Sequence, residues 1–201
     1  MRWWGKILEA APERSITQEH RERVYLWSHA AGTKGLGAYY HDPRQFTHKD
    51  PTSTSTEQEY TYPRPGSAFS IALPRYLGRA NEHINTTDLR AVEQALLYWG
   101  ERWRGTKVLM HIDNRAVMYG LENLTMRGRS MDVLGRCLLL AANYDLEIEP
   151  RWIPTHENGL ADALSRFDYE RITNLAPQLV NPRCSLRERG FFTCNKLDSR
   201  L

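Results

Sequence analysis

Apolar residues fall in short strand-like runs at both ends of the central chain and at helical spacing between them. Val24 to Trp27, running on to His29, is rich in β-branched and aromatic residues and precedes the turn signal Gly32-Thr33-Lys34-Gly35. It predicts a first strand, with Leu36 to Tyr40 returning as a hairpin. Phe69 to Leu73 predicts a third strand closing at Pro74. A helix opening at Thr86-Thr87-Asp88 follows, with Leu89, Val92, Leu96 and Trp99 at helical spacing, Ala91 and Ala95 beside them, and Gly105 as its end. Val108 to Ile112 is a short apolar strand that stops at Asp113-Asn114. Helical patterning returns at Ala116–Leu121 and at Met131–Ala142, where Leu134, Leu138 and Ala141 share a face. The basic loop Met126-Arg127-Gly128-Arg129 lies between them. Leu146 to Ile153 reads as a fifth strand, Pro154 to Gly159 as a loop, and Leu160 to Phe167 as a last short helix, with irregular chain beyond.

The predicted order is β-β-β-α-β-α-β-α, an α/β fold with a five-stranded mixed sheet and flanking helices. Right-handed crossovers set the Val108 strand parallel to the first, and the Leu146 strand parallel beyond it. If the first and fourth strands are neighbours, their carboxyl ends meet at a topological switch point, where ligands of open α/β sheets tend to bind. His29 and Asp113 stand at those ends. Residues 42–66, with four prolines and the run Thr52-Ser53-Thr54-Ser55-Thr56, predict a loop insertion. The expected organisation is an N-terminal segment over 1–23, a domain over 24–168 and a basic tail over 169–201.

With 201 residues, 41% hydrophobic and 25% charged, the composition is that of a globular chain and excludes wholesale disorder. No apolar stretch approaches the ~20 residues of a membrane span. Lys6 and Glu9 interrupt the one apolar cluster near the start (Trp3, Trp4, Ile7, Leu8, Ala10), which argues against a signal peptide. Cys137, Cys184 and Cys194 form no C-x-x-C pair. An intracellular protein, of nucleus or cytoplasm, is expected. The net charge is +3, and from Arg183 onward five basic residues face two acidic ones, as a solvated or a phosphate-contacting tail would have them.

Four positions could carry chemistry: Asp113 at a strand end, Asp88 in the first turn of the long helix, Asp162 in the last helix, and His29. Each has a plain structural reading: a helix cap for Asp113, helix-dipole placement for Asp88, an exposed helix residue for Asp162, a satisfied strand-end histidine for His29. Converging at one sheet edge, the carboxylates instead resemble a site for two Mg2+ ions, which are hard and prefer oxygen.

Several segments carry a resemblance. Val108-Leu-Met-His-Ile-Asp-Asn114 resembles the strand bearing the "DN" aspartate of ribonuclease H-like domains. Trp152-Ile-Pro-Thr-His-Glu-Asn-Gly-Leu-Ala-Asp-Ala-Leu-Ser-Arg166 closely resembles the last motif of that domain in retrotransposon polyproteins, particularly the DIRS-like group. His83-Ile-Asn-Thr-Thr-Asp-Leu89 is similar to that group's helix, where glutamate usually stands at Asp88. The stretch from Tyr25 to Tyr40 is similar to its first hairpin, and Trp3-Trp4 resembles the connection after the polymerase. With no polymerase sequence ahead of it, the chain is expected to be a domain detached from its reverse transcriptase, or a fragment.

The resemblance implies two-metal cleavage of the RNA strand in RNA/DNA hybrids, with Asp113 and Asp162 as ligands of Mg2+ or Mn2+ and Asp88 in place of the glutamate. One position departs: the family has Asp-Ala-Ser where this chain has His29-Ala30-Ala31. The missing aspartate is the one that bridges both metals. Imidazole suits transition metals better than Mg2+, and a protonated one repels cations. Weakened or lost Mg2+-dependent cleavage is therefore expected, a pseudoenzyme. His156, in the loop before Asp162, is a candidate for proton transfer or product release, or a solvated loop residue. Lys34, Arg115, Arg127 and Arg129 are candidate phosphate contacts, or surface charge. The alternatives are a protein-interaction module that kept only the fold, with a protein partner, and a nuclease with altered metal preference such as Mn2+. No membrane partner is expected.

Overall fold

A computed structural model describes residues 5–6, 9, 20–32, 34–46, 63–64, 66–73 and 82–179. Most of the 1–23 connection and of the 42–66 insertion, the basic tail beyond Leu179, Cys184 and Cys194 lie outside these residues.

Five strands form one sheet: β1 (Arg23–Ala30), β2 (Gly35–His41), β3 (Ala68–Ala72), β4 (Lys107–Ile112) and β5 (Glu147–Trp152). Their spatial order is β3-β2-β1-β4-β5. The β1–β2 and β2–β3 pairs are antiparallel, and the β1–β4 and β4–β5 pairs parallel. The helices are α1 (Ile84–Trp99), α2 (Arg115–Glu122), α3 (Arg129–Asn143), α4 (Gly159–Arg166) and α5 (Tyr169–Leu175). This is the expected mixed five-stranded sheet with flanking helices; α5 is not among the helices expected.

The period-two alternation of each strand sorts residues between two faces. Val24, Leu26, Leu36, Ala38, Tyr40, Phe69, Ile71, Val108, Met110 and Ile112 join one core with Leu89, Val92, Leu96 and Trp99 of α1. α3 packs on α1, and Arg136 of α3 is paired with the buried Glu93 of α1. Trp99 and Trp103 both lie in this core. The opposite face carries Tyr25, Trp27, Tyr39, His41 and His111 in a stacked ladder. α4 covers the β2 end of that face, and Ala68, Ala163, Leu164, Ile172, Ala176 and Leu179 form a second, smaller core beneath α4 and α5. Among the described residues no helix is long and apolar enough to cross a membrane.

Four local expectations are corrected. α1 begins at Ile84, because His83 caps it, its Nδ1 accepting from Asn85 N at 3.2 Å. It ends at Trp99 and passes into a 3-10 turn, Gly100–Trp103, short of Gly105. Arg129 opens α3 rather than lying in the loop. The chain after Phe167 is not irregular: Asp168 caps α5, whose Ile172 is buried, and Ala176 and Leu179 pack behind it. α5 is too short to show a period, so only its packing reveals it.

Candidate functional site

The sheet's switch point lies where β1 and β4 run side by side, and both strands end there. β1 presents His29 on the face that α4 covers. Asp113 follows β4 directly, α1 supplies Asp88, and α4 supplies Asp162. The structure therefore brings together all four residues singled out in the sequence.

Asp88 is 6% exposed and sits beyond the first turn of α1, so the helix dipole does not account for it. Its Oδ1 accepts from Ala30 N at 2.9 Å and its Oδ2 from Asn114 Nδ2 at 2.8 Å. Burial pushes its carboxyl above the ordinary value; Asn114, His29 and Ala30 oppose the shift and Asp113 adds to it.

Asp113 is not the cap of α2. Asn114 is, its Oδ1 accepting from Ala116 N at 3.0 Å. Asp113 Oδ1 instead accepts from Asn158 Nδ2 at 3.3 Å. The same Nδ2 donates to Ser28 O at 3.0 Å, so the fully buried Asn158 ties the turn before α4 to both strands. The Asp113 carbonyl accepts from Trp152 Nε1 at 3.1 Å, and the Arg115 guanidinium lies 4.2 Å over the Trp152 ring.

Asp162 is 8% exposed, which removes its reading as an exposed helix residue. Arg166 Nε donates to its Oδ1 at 2.6 Å, and Arg171 of α5 donates to its Oδ2 at 2.8 Å. Burial alone would raise the Asp162 carboxyl; Arg166, His29 and Arg171 outweigh it and hold the carboxyl below its ordinary value.

His29 stands between these groups. The Ser165 hydroxyl gives its proton to Asp162 O at 2.7 Å, so it accepts from His29 Nδ1 at 3.0 Å. That places a proton on Nδ1, which is also 3.6 Å from Asp162 Oδ1. Nε2 then faces Asp113 Oδ2 at 3.8 Å.

The donors do not fit a pair of divalent ions as arranged. Mg2+ needs a near-octahedral set of oxygens at about 2.0–2.1 Å. Both oxygens of Asp88 are taken by N–H donors, both oxygens of Asp162 by guanidinium groups, and an imidazole fills the space between Asp113 and Asp162. Among the described residues no group of three or more His, Cys, Asp or Glu side chains is placed to hold a metal ion.

The basic candidates fall in three places. Lys34 is exposed in the β1–β2 turn, at the same end of β1 as His29. Arg115 is exposed at the rim, on Trp152. Arg127 and Arg129 line an open groove of about 830 Å3 with His83, Asn85, Thr86 and Ser130. Asn85 Oδ1 accepts from Asn114 Nδ2 at 2.9 Å, so the groove wall is continuous with the Asp88 pocket. His156 is 81% exposed, with Glu157 3.8 Å away, and takes no part in the cluster.

Arg171 and Ser165 belong to the cluster by their contacts, and neither stands out in the sequence as a candidate. Ser165 and Arg166 close the Asp162-Ala-Leu-Ser-Arg166 motif, and an Asp–Arg pair four apart on a helix is a legible signal. Nothing local marks Arg171, which reaches Asp162 from another helix.

No protein-family model matches the chain, and no curated protein does. The chain is similar to several solved structures. One is the N-terminal RNase H domain of a Mycobacterium tuberculosis protein, studied as a fusion with maltose binding protein. It is 16% identical over 71% of this chain and 95% of its own, with a TM-score of 0.49. The RNase H1 of the halophilic archaeon Halobacterium salinarum is 14% identical over 75% of this chain and 99% of its own, with a TM-score of 0.49. A compost-derived RNase H1 in complex with an RNA/DNA hybrid is 15% identical over 71% of this chain and 91% of its own, with a TM-score of 0.45. Fold does not dictate chemistry at such identities.

Proposed function

We propose that the chain is a ribonuclease H-like nucleic-acid-binding domain of retroelement origin, related to the DIRS-like group, in which metal-dependent cleavage of RNA/DNA hybrids has been lost. The observation that carries this reading is the position of His29. It lies among Asp88, Asp113 and Asp162 at the switch point, where the resemblance implies a bridging aspartate. A carboxylate there would offer oxygens to two ions; an imidazole offers one nitrogen, and its Nδ1 is committed to Ser165.

Binding is supported separately. The groove with Arg127 and Arg129 adjoins the Asp88 pocket, and Arg115 with half-exposed Trp152 marks the other rim. Arginine contacts to phosphates give affinity without sequence readout, and that affinity falls with salt.

Fluorescence anisotropy with a labelled RNA/DNA hybrid, run beside gels for cleavage products in Mg2+ and in Mn2+, tests both halves. The expected outcome is salt-sensitive binding, weakened roughly tenfold by Arg127→Ala with Arg129→Ala, and no product in either metal. Products that Asp113→Asn abolishes would establish a working nuclease and overturn the loss of cleavage. Absence of binding at low salt would leave the protein-interaction reading in its place.

A further inference from the structure

We infer that side chains of this chain hold the place of the metals: the Arg166 and Arg171 guanidiniums and the His29 imidazole close the acidic cluster into a clasp that fastens α4 and α5 to the sheet without any divalent ion. This deepens the reading above at the same site.

Three carboxylates meet in one partly buried pocket, and such a group repels itself unless counter-charge enters. In a metal site the counter-charge comes from solvent, and the empty site is held at a cost in stability. Here each carboxylate is already answered from within the fold. Asp162 takes one guanidinium on each oxygen, Arg166 from its own helix and Arg171 from the next. Asp88 takes two N–H donors. Asp113 takes Asn158 on one oxygen and faces His29 with the other.

The members also come from elements that need joining. His29 lies on β1, Asp113 follows β4, Asp162, Ser165 and Arg166 lie on α4, and Arg171 lies on α5. The apolar core beneath α4 and α5 is small, so polar contacts at this edge add a second line of attachment. Gly159 is part of the device. A Cβ there would lie 3.1 Å from an Arg171 guanidinium nitrogen, so the missing side chain leaves Arg171 its path to Asp162.

A metal site and a clasp respond oppositely to the same substitution. At an empty metal site, Asp→Asn relieves repulsion and leaves Tm unchanged or raises it. In a clasp, Asp162→Asn removes the charge that holds two half-exposed guanidiniums at this edge and lowers Tm. The experiment is thermal unfolding of the full chain in EDTA for wild type, Asp162→Asn and the milder Arg171→Gln. Calorimetric titration of the wild type with Mn2+ and with Mg2+ accompanies it. A fall in Tm of roughly 3 °C or more for Asp162→Asn, a smaller fall for Arg171→Gln, and no saturable metal binding below about 1 mM are expected. If Asp162→Asn does not fold, Arg171→Gln alone decides. An unchanged or raised Tm in EDTA, or saturable Mn2+ binding, would overturn the clasp. Neither readout involves nucleic acid, so loss of hybrid binding would strike the functional reading and leave the clasp standing, while Mn2+ binding with hybrid binding intact would do the reverse.

Discussion

At the scale of single residues, a missing side chain decides how close α4 comes to the sheet. Gly37 of β2 lies directly under α4, and a methyl group there would overlap the Ser165 amide, the Ala161 carbonyl and the Leu164 backbone. These are backbone atoms of a helix, so they cannot turn aside as a flexible side chain would. Ser70 of β3 adds to the same contact, donating to Leu164 O at 2.8 Å. Gly37→Ala is therefore expected to cost about 2–3 kcal/mol, at the upper end of overpacking penalties. Urea unfolding measures it, and an unchanged midpoint would show that α4 can lift without loss. The same substitution moves Asp162 and Ser165 away from His29, so its effect on the acidic cluster follows from its effect on packing.

At the scale of elements, β1, β2 and β4 carry Tyr25, Trp27, Tyr39, His41 and His111 on the face away from α1. Burial pushes His41 down from its ordinary value of 6.5 to about 4, with Asp42 opposing and Arg64 assisting. Burial also lowers His111, assisted by Arg151 and opposed by Leu26 and Glu157. An imidazole whose folded value is depressed binds its proton more readily in the unfolded chain. The stability it contributes is complete above pH about 6.5 and is lost as pH falls towards about 4. Asp88 acts in the opposite sense, because its raised carboxyl favours the folded state as pH falls. The difference between wild type and His41→Gln isolates the histidine. Between pH 7 and 4.5 the wild-type Tm is expected to fall more than that of His41→Gln, and parallel curves would refute the assignment.

For the whole molecule, one large core decides stability, and its centre is aromatic. Trp103 is fully buried, with ring centroids 5.1 Å from Tyr40 and 5.7 Å from Trp99, while Phe69 lies 5.3 Å from Trp99. Trp103→Ala is expected to cost about 3–5 kcal/mol. The Trp103 Nε1 is buried without a hydrogen-bond partner among the described residues. Trp103→Phe keeps much of the packing and removes that stranded donor, so its cost is expected to stay below about 1.5 kcal/mol. Equal losses for the two variants in denaturant unfolding would place the energy in the indole itself rather than in filled volume.

Much of this was readable along the chain, because local periodicity reflects which face of an element is buried. The alternation of Val24, Leu26 and Ser28 with Tyr25, Trp27 and His29 divides β1 between its two environments. The spacing of Leu89, Val92, Leu96 and Trp99 marks the buried stripe of α1, and all four are buried. The succession of elements, taken with right-handed crossovers, makes β1 and β4 parallel before any coordinate is known, and their pairing in the sheet then sets His29 near Asp113. The sequence alone also marks His29 as the odd residue at a place where an aspartate is implied. What it leaves open depends on contacts between residues far apart in the chain. The start of α1 turns on a side-chain cap, α5 on packing against α4, and the environment of Asp162 on Arg171 arriving from a separate helix. Only the folded chain decides that the carboxylates meet arginine, asparagine and histidine donors. Counter-charge is a property of three-dimensional neighbourhood, and no spacing along the sequence specifies it.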